Sequence, residues 1–381
     1  MNRILHISCD FNDAIRQDKT AAISRLVDET TQFSHAVVSL NRTMNPFKYQ
    51  PGQSSDSLHS LYYFGLPFGI GLRASMHLAA GRILRSLERC AFKADIIHCH
   101  KLTFEGIIGQ ILSRKLGIPY VLSIRGDTDF KVIRYKPTYA RLYRHVLRDS
   151  RAIFFGAPWS MRKLTELWPQ VMPDRKVLLP NIVPADAPES FNNSGTSNRL
   201  VSVCHLKDYR RKNLKRLFSA VDLLNRAGSE VFLDVIGGGS ASTVSRIEKM
   251  ISGLQFSQNV HLLGHLPSCE LSERLPHYSG LVLPSTRETF GMVYLEALRA
   301  GVPFVHSENA GVDGYFDDLG VSISVNPKSV RSIADGIKKL LNDGQQLRRN
   351  VQQLHESGGL DRFNTANIVH SYSATLSSIL S

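Results

Sequence analysis

The chain has 381 residues, 43% hydrophobic and 21% charged, which is long for one domain, comfortable for two and ordinary for a globular protein. It has no run of eighteen apolar residues, which excludes a transmembrane helix, and its five cysteines (9, 90, 99, 204 and 269) lack the C-x-x-C spacing of a disulfide framework or a structural zinc. The formal charge of +13 is uneven: residues 1–190 hold 26 Lys/Arg against 16 Asp/Glu, a net +10, and residues 191–381 hold 20 against 17, a net +3, so the first half suits nucleic acid or an anionic membrane as partner.

The chain enters a strand-like run at once, Arg3-Ile-Leu-His-Ile-Ser8, with no signal-peptide apolar region before it, and the expected location is cytoplasmic. In the first half, strands are predicted at Arg3–Ser8, His35–Asn41, Asp95–His100, Pro119–Arg125, Ala152–Ala157 and Lys176–Pro180. Helical patterns fall at Thr20–Phe33, Leu72–Phe92, Thr103–Leu116, Pro137–Leu147 and Ser160–Trp168. Leu61–Leu72 reads as an aromatic, apolar loop, and Asp186–Asn198, rich in Pro, Asn, Ser and Gly, as a linker.

The second half repeats the alternation. Strands are predicted at Arg199–Cys204, Glu230–Gly237, Val260–Gly264, Gly280–Leu283, Pro303–Ser307 and Val321–Val325, with helices at Ser329–Leu341, Gln345–Glu356 and Asn364–Leu380. Such alternation argues for parallel sheets covered by helices on both faces.

The stretch from Gly280 to Pro303 is the richest in chemistry. An apolar strand ends in Pro284-Ser285, a polar loop carries Glu288, and Gly291 opens a helical pattern that carries Glu296 and stops at Gly301-Val-Pro303. Eight steps of continuous helix would separate the two carboxylates by about 12 Å, too far for an acid/base couple. They suit gripping two parts of one long ligand, and the helix N-terminus between them suits a phosphate. A nucleotide sugar has that form. The alternative is a surface loop and an amphipathic helix with two solvated carboxylates.

Ser285-x-x-Glu288-Thr-Phe-Gly291, with Leu295-Glu296-Ala297 and Gly301-x-Pro303, resembles the signature of the retaining glycosyltransferases of family 4. The resemblance implies an α/β fold of two Rossmann-like domains facing across a cleft (GT-B). Residues 1–185 would bind the acceptor and 199–362 the nucleotide sugar, and a terminal helix, 363–381, would cross back to the first domain.

It also implies roles for individual residues. Gly238 and Gly239, in the turn after Phe232–Ile236, would let backbone approach the donor. Leu200–Leu206 followed by Arg210-Arg-Lys-Asn-Leu214 resembles the segment whose arginine and lysine neutralise the donor diphosphate. Lys212 fits the lysine; His205 stands in the arginine's place and Cys204 in that of a glycine, so Arg210 or Arg211 is left to supply the second cation. Glu288, Lys212, Arg211 and His205 form the expected catalytic set. His265 and Leu266 fall in the turn that holds the base through backbone groups, and Glu296 would grip the ribose. Glu288 and the amides of Thr289, Phe290, Gly291 and Met292 would hold the transferred sugar and the phosphate. The family's Gly-Gly-x-x-Glu turn is altered here to Asn309-Ala-Gly-Val-Asp-Gly314.

On the acceptor side, Asp95-Ile-Ile-His-Cys-His100 places His98 and His100 on one strand face, and no third ligand lies near them in the sequence, which argues against a metal. Arg125 and Asp127 end the next strand and are expected at the cleft edge, as an ion pair or as substrate contacts. The family transfers with retention and needs no protein nucleophile. No metal and no other cofactor is expected.

Arg73, Arg82, Arg85, Arg89 and Lys93 on one helical pattern, and six Lys/Arg without a carboxylate over 131–148, suit an anionic membrane surface. The expectation is a hexose transferred from a UDP- or GDP-sugar to a glycan, lipid-linked, in lipopolysaccharide or exopolysaccharide synthesis, on the inner face of the cell membrane. Two rivals stand beside it: a nucleotide-sugar epimerase on the same fold, and a non-catalytic nucleic-acid-binding protein, for which no nucleic-acid motif is present.

Overall fold

The computed structural model describes all residues except 14, 17, 18, 20, 46–57 and 183–197. The predicted linker, apart from Asn198, lies outside the described residues. The chain forms two compact units.

The first unit comprises Met1–Gly156, Ser160–Ile182 and Phe363–Ser381. Its seven strands are β1 (Arg3–Ser8), β2 (Ser34–Thr43), β3 (Leu58–Phe64), β4 (Ile96–Cys99), β5 (Tyr120–Ile124), β6 (Ala152–Phe155) and β7 (Arg175–Leu178). They pair in parallel in the order β3-β2-β1-β4-β5-β6-β7. Every residue of β4, β5 and β6 is buried, the mark of a central strand with helices on both faces. The order reverses between β1 and β4, where ligands of open α/β sheets bind beyond the carboxyl ends.

The second unit comprises Ala157–Trp159 and Val183–Arg362. Its strands are β8 (Arg199–Val203), β9 (Phe232–Ile236), β10 (Val260–Gly264), β11 (Gly280–Leu283), β12 (Phe304–Ser307) and β13 (Ser322–Val325). The sheet is again parallel, in the order β10-β9-β8-β11-β12-β13, and the reversal lies between β8 and β11.

The terminal helix, Thr365–Leu380, belongs to the first unit, as expected. It places Ile368, Tyr372 and Leu376 in one core cluster with Ile4, Ile96, Val121 and Phe154. Among the described residues no helix is long and apolar enough to cross a membrane.

Two local readings are corrected. The aromatic loop Leu61–Leu72 begins as the edge strand β3, with Leu61 and Tyr63 buried; only the turn after it is exposed. Its glycines and proline at 65, 67, 69 and 71 had masked the strand. The basic stretch after Asp127 holds a helix that the periodicity missed, Thr128–Tyr135, before a short 3-10 turn at Pro137–Tyr139 and the helix Ala140–Asp149.

Candidate functional site

At the reversal in the second sheet, the chain leaving β8 meets the chain leaving β11. Lys212 Nζ donates to Glu288 Oε2 at 2.5 Å, with the side chains 13% and 8% exposed. Ser285 Oγ donates to the same oxygen at 3.2 Å, and the Thr289 amide donates to Glu288 Oε1 at 3.2 Å. The carboxylate is thus held from three sides, by a cation, a hydroxyl and a backbone N–H.

Lys212 is aimed by its neighbour. Asn213 takes a left-handed backbone (φ 63°), and its buried amide donates to the carbonyls of Pro284 (2.9 Å) and Pro327 (2.7 Å). Asparagine is among the few non-glycine residues that accept this conformation readily. The bonds tie the start of the helix Leu214–Arg226 to the ends of β11 and β13. Arg211 donates to Asp208 at 2.8 Å, and its carbonyl accepts from the Thr286 amide and hydroxyl at 2.9 and 3.0 Å. Its buried Nε has no partner among the described residues. His205 is exposed and caps a short 3-10 turn, accepting at Nδ1 from the Lys207 amide. Burial pushes the Cys204 thiol up to about 11, so it remains protonated.

The glycine turn after β9 presses on the end of β8. A Cβ on Gly237 (φ 155°) would lie 1.7 Å from the Cys204 carbonyl oxygen, and one on Gly239 would lie 2.8 Å from Leu206 Cβ. The Leu206 amide donates to the Gly238 carbonyl, and the Gly237 amide to that of Gly264, so the ends of β8, β9 and β10 are locked together. His265 is exposed beside this lock, 3.4 Å at its Cβ from a Cβ built on Gly238; Leu266 is half-buried.

Gly291 (φ 83°) is the N-cap of the helix Met292–Arg299 and brings no capping side chain. A Cβ there would strike Tyr294 at 2.5 Å. Phe290 is buried, edge-on to Tyr315 at 6.0 Å, while Thr289 is exposed and Met292 half-buried. Glu296 lies on the helix in a half-buried position. Burial raises its carboxyl above the usual range, and the Arg299 charge partly offsets the rise. The altered turn takes part as well: the Gly311 amide donates to the Glu288 carbonyl at 3.1 Å, and a Cβ on Gly311 (φ 59°) would lie 3.1 Å from Glu288 Cγ. Sequence reasoning missed Ser285, Asn213 and Gly311 as supports of the carboxylate. The Asn after Lys212 and the Gly within 309–314 were the available signals.

In the first unit, His100 is buried, and its Nε2 lies 3.0 Å from His6 Nδ1. Register aligns His6 of β1 with His98 of β4, so a third histidine stands beside the pair although none lies near it in the sequence. Yet both nitrogens of His6 and of His98 have neighbours of their own: His100 and His35 for the first, Tyr372 and Ser123 for the second. This is a hydrogen-bonded set, and among the described residues Nδ1 of His100 alone of its ring nitrogens is without a partner. Burial lowers all three pKa values well below the ordinary histidine value. Arg125 donates to Asn181 at 2.6 Å, and burial pulls it down to about 10. Asp127 precedes the helix Thr128–Tyr135 and pairs with Lys131 at 3.5 Å.

Two family models match the chain: "Glycosyl transferases group 1" over residues 186–355 and "Glycosyl transferase 4-like domain" over residues 21–181. N-acetyl-alpha-D-glucosaminyl L-malate synthase of Bacillus anthracis is 22% identical over 73% of each chain. Alpha-D-kanosaminyltransferase of Streptomyces kanamyceticus is 23% identical over 66% of this chain and 69% of its own. Among solved structures, Anabaena Alr3699/HepE in complex with UDP superimposes with a TM-score of 0.68 at 14% identity, over 99% of this chain and all of that one. Sucrose-phosphate synthase of Thermosynechococcus elongatus gives 0.66 at 16%, over all of this chain and 99% of the other.

Proposed function

Since the chain belongs to the group 1 glycosyltransferases, enzymes that transfer sugar from a sugar nucleotide, we propose that it is a retaining, metal-independent hexosyltransferase using a UDP- or GDP-sugar. The observation that carries this reading is the Lys212–Glu288 pair at the reversal between β8 and β11, beside the glycine turn and the helix opened by Gly291.

In this reading Glu288 accepts hydrogen bonds from the hydroxyls of the transferred sugar. Lys212, with Arg211, faces the diphosphate, and the amides that follow Glu288 bind phosphate oxygens. The bond from the anomeric carbon to the phosphate oxygen breaks as the acceptor hydroxyl bonds to the same face. The hydroxyl proton passes to a phosphate oxygen, so the chain supplies no nucleophile and no base. Lys212 and the helix end stabilise the charge that grows on the leaving diphosphate. Glu296 holds the ribose.

UDP and UDP-glucose stand in the names of structures of similar fold, which makes UDP the first donor to try. We assign acceptor recognition to the first unit, with His100, Arg125 and Asp127. Its basic excess supports a lipid-linked glycan acceptor, in lipopolysaccharide or exopolysaccharide synthesis, met on an anionic membrane. Thermal shift against UDP, GDP, ADP and their sugars tests the donor side. One nucleoside diphosphate is expected to raise the melting temperature, and no shift with any of them would sink the reading.

A further inference from the structure

Three helices of the first unit, Leu72–Arg89, Phe104–Leu116 and Ala140–Asp149, border a groove of about 520 Å³. Its basic lining is Arg73, His77, Arg114, Lys115, His145 and Arg148, and its apolar part includes Ile107 and Leu142. Among the described residues no carboxylate lines it. Asp149, just outside, pairs with Arg114 at 2.7 Å and Arg148 at 3.5 Å. Arg73 and Lys115 are exposed and have no partner among the described residues. Four cations against one neighbouring carboxylate favour an anion.

The turn leading into the first of these helices adds a second feature. Phe68 is 83% exposed and has φ 56°, a left-handed conformation that a bulky side chain rarely adopts. Ile70, 64% exposed, belongs to the same turn, and Leu78, 65% exposed, to the helix that follows. The turn is fastened at its centre, where Tyr139 Oη donates to the Gly69 carbonyl at 2.7 Å. Strain is therefore held here without the gain of burying a ring. Ile70 precedes Arg73 by three residues, and Tyr139 precedes Leu142 by three, so the apolar tip adjoins the basic groove.

We propose that this face docks on an anionic bilayer, with a lipid phosphate in the groove and Phe68 and Ile70 in the acyl boundary. Clustered cations supply the attraction and exposed apolar side chains the insertion. A nucleic acid would use the cations and leave Phe68, Ile70 and Leu78 without a role. The proposal rests on the membrane reading above and deepens it by naming the groove, the anchors and the headgroup chemistry.

The test is co-sedimentation of the full chain with phosphatidylcholine vesicles containing or lacking phosphatidylglycerol, with glycerol 3-phosphate and a duplex oligonucleotide as separate arms. Binding to the anionic vesicles alone is expected. Arg73→Ala/Lys115→Ala should partition about 30-fold more weakly, the loss for two cations at a charged surface. Phe68→Asn should bind several-fold more weakly while melting no lower than the parent, because asparagine accepts the left-handed backbone. Both variants should keep the nucleotide-induced shift. If the parent binds anionic vesicles and the variants bind equally well, the groove and anchors are wrong and the membrane reading stands. If the parent binds only the oligonucleotide or only glycerol 3-phosphate, both fall.

Discussion

Lys212 and Glu288 reach each other from two chain segments 76 positions apart, and neither charge is left to water. Removing one partner of so enclosed a pair strands the other. Glu288→Gln keeps the shape and removes the charge. It is expected to lower kcat/KM by roughly a hundred- to a thousand-fold, the range for a preorganised electrostatic group. Release of nucleoside diphosphate in the presence of acceptor measures it, and activity within a few-fold of the parent would refute the assigned role.

Asn213 tests whether the lysine must be aimed. Asn213→Gly tolerates the positive φ but loses both bonds to the Pro284 and Pro327 carbonyls. Leaving two acceptors short costs about 2 kcal/mol or more, and Lys212 loses its fixed base. The expected result is a lower melting temperature with a larger fall in kcat than in donor affinity. Unchanged turnover would show that Lys212 finds its place unaided.

Gly237→Ala should be severe. The added carbon meets the Cys204 carbonyl at 1.7 Å, and backbone cannot swing aside as a side-chain tip can. A cost on the order of 3 kcal/mol corresponds to a melting temperature roughly 10 °C lower. Gly253→Ala is the control, because φ is −83° there and the nearest atoms are at 3.7 Å. It should be neutral or slightly stabilising.

The first unit should lose stability in acid. His6, His98 and His100 have folded pKa values below 6.5, so the unfolded chain binds their protons first. Their stabilising contribution is complete above pH 6.5 and declines as pH falls below it. Glu105 acts in the opposite sense. Burial raises it to about 7, so between its unfolded value near 4.5 and pH 7 the folded state holds the extra proton. These three histidines less Glu105 leave a slope of about two protons, roughly 3 kcal/mol per pH unit, and His35 and His59, also lowered by burial, add to it. Glu105→Gln should steepen the fall in melting temperature between pH 6.5 and 5, and a flat profile in the parent would contradict the histidine assignment.

Much of the second unit could be read directly, because most of its apolar runs stop at or just before a glycine or proline and each run is one strand. The neighbourhood of Glu288 could be read for the same reason, its spacing being local. What stayed hidden depends on pairing across the sheet. His6 joins His98 through strand register, and Asn213 is 71 and 114 positions from the carbonyls it bonds. β3 was obscured because an edge strand followed by glycines and proline looks, residue by residue, like a loop.

The helix Thr365–Leu380 has a bearing on biosynthesis. Tyr372 bonds His98 and fills a core whose strands are translated long before it. Most of the second unit, Val183–Arg362, intervenes. At about 5–20 residues per second the ribosome needs roughly ten to forty seconds to cross it, so the early sheet waits, uncapped, while the later unit can already mature. A chain truncated after residue 362 should therefore be cut by protease in the first unit and resist it in the second. Equal resistance in both would show that the sheet closes without its final helix.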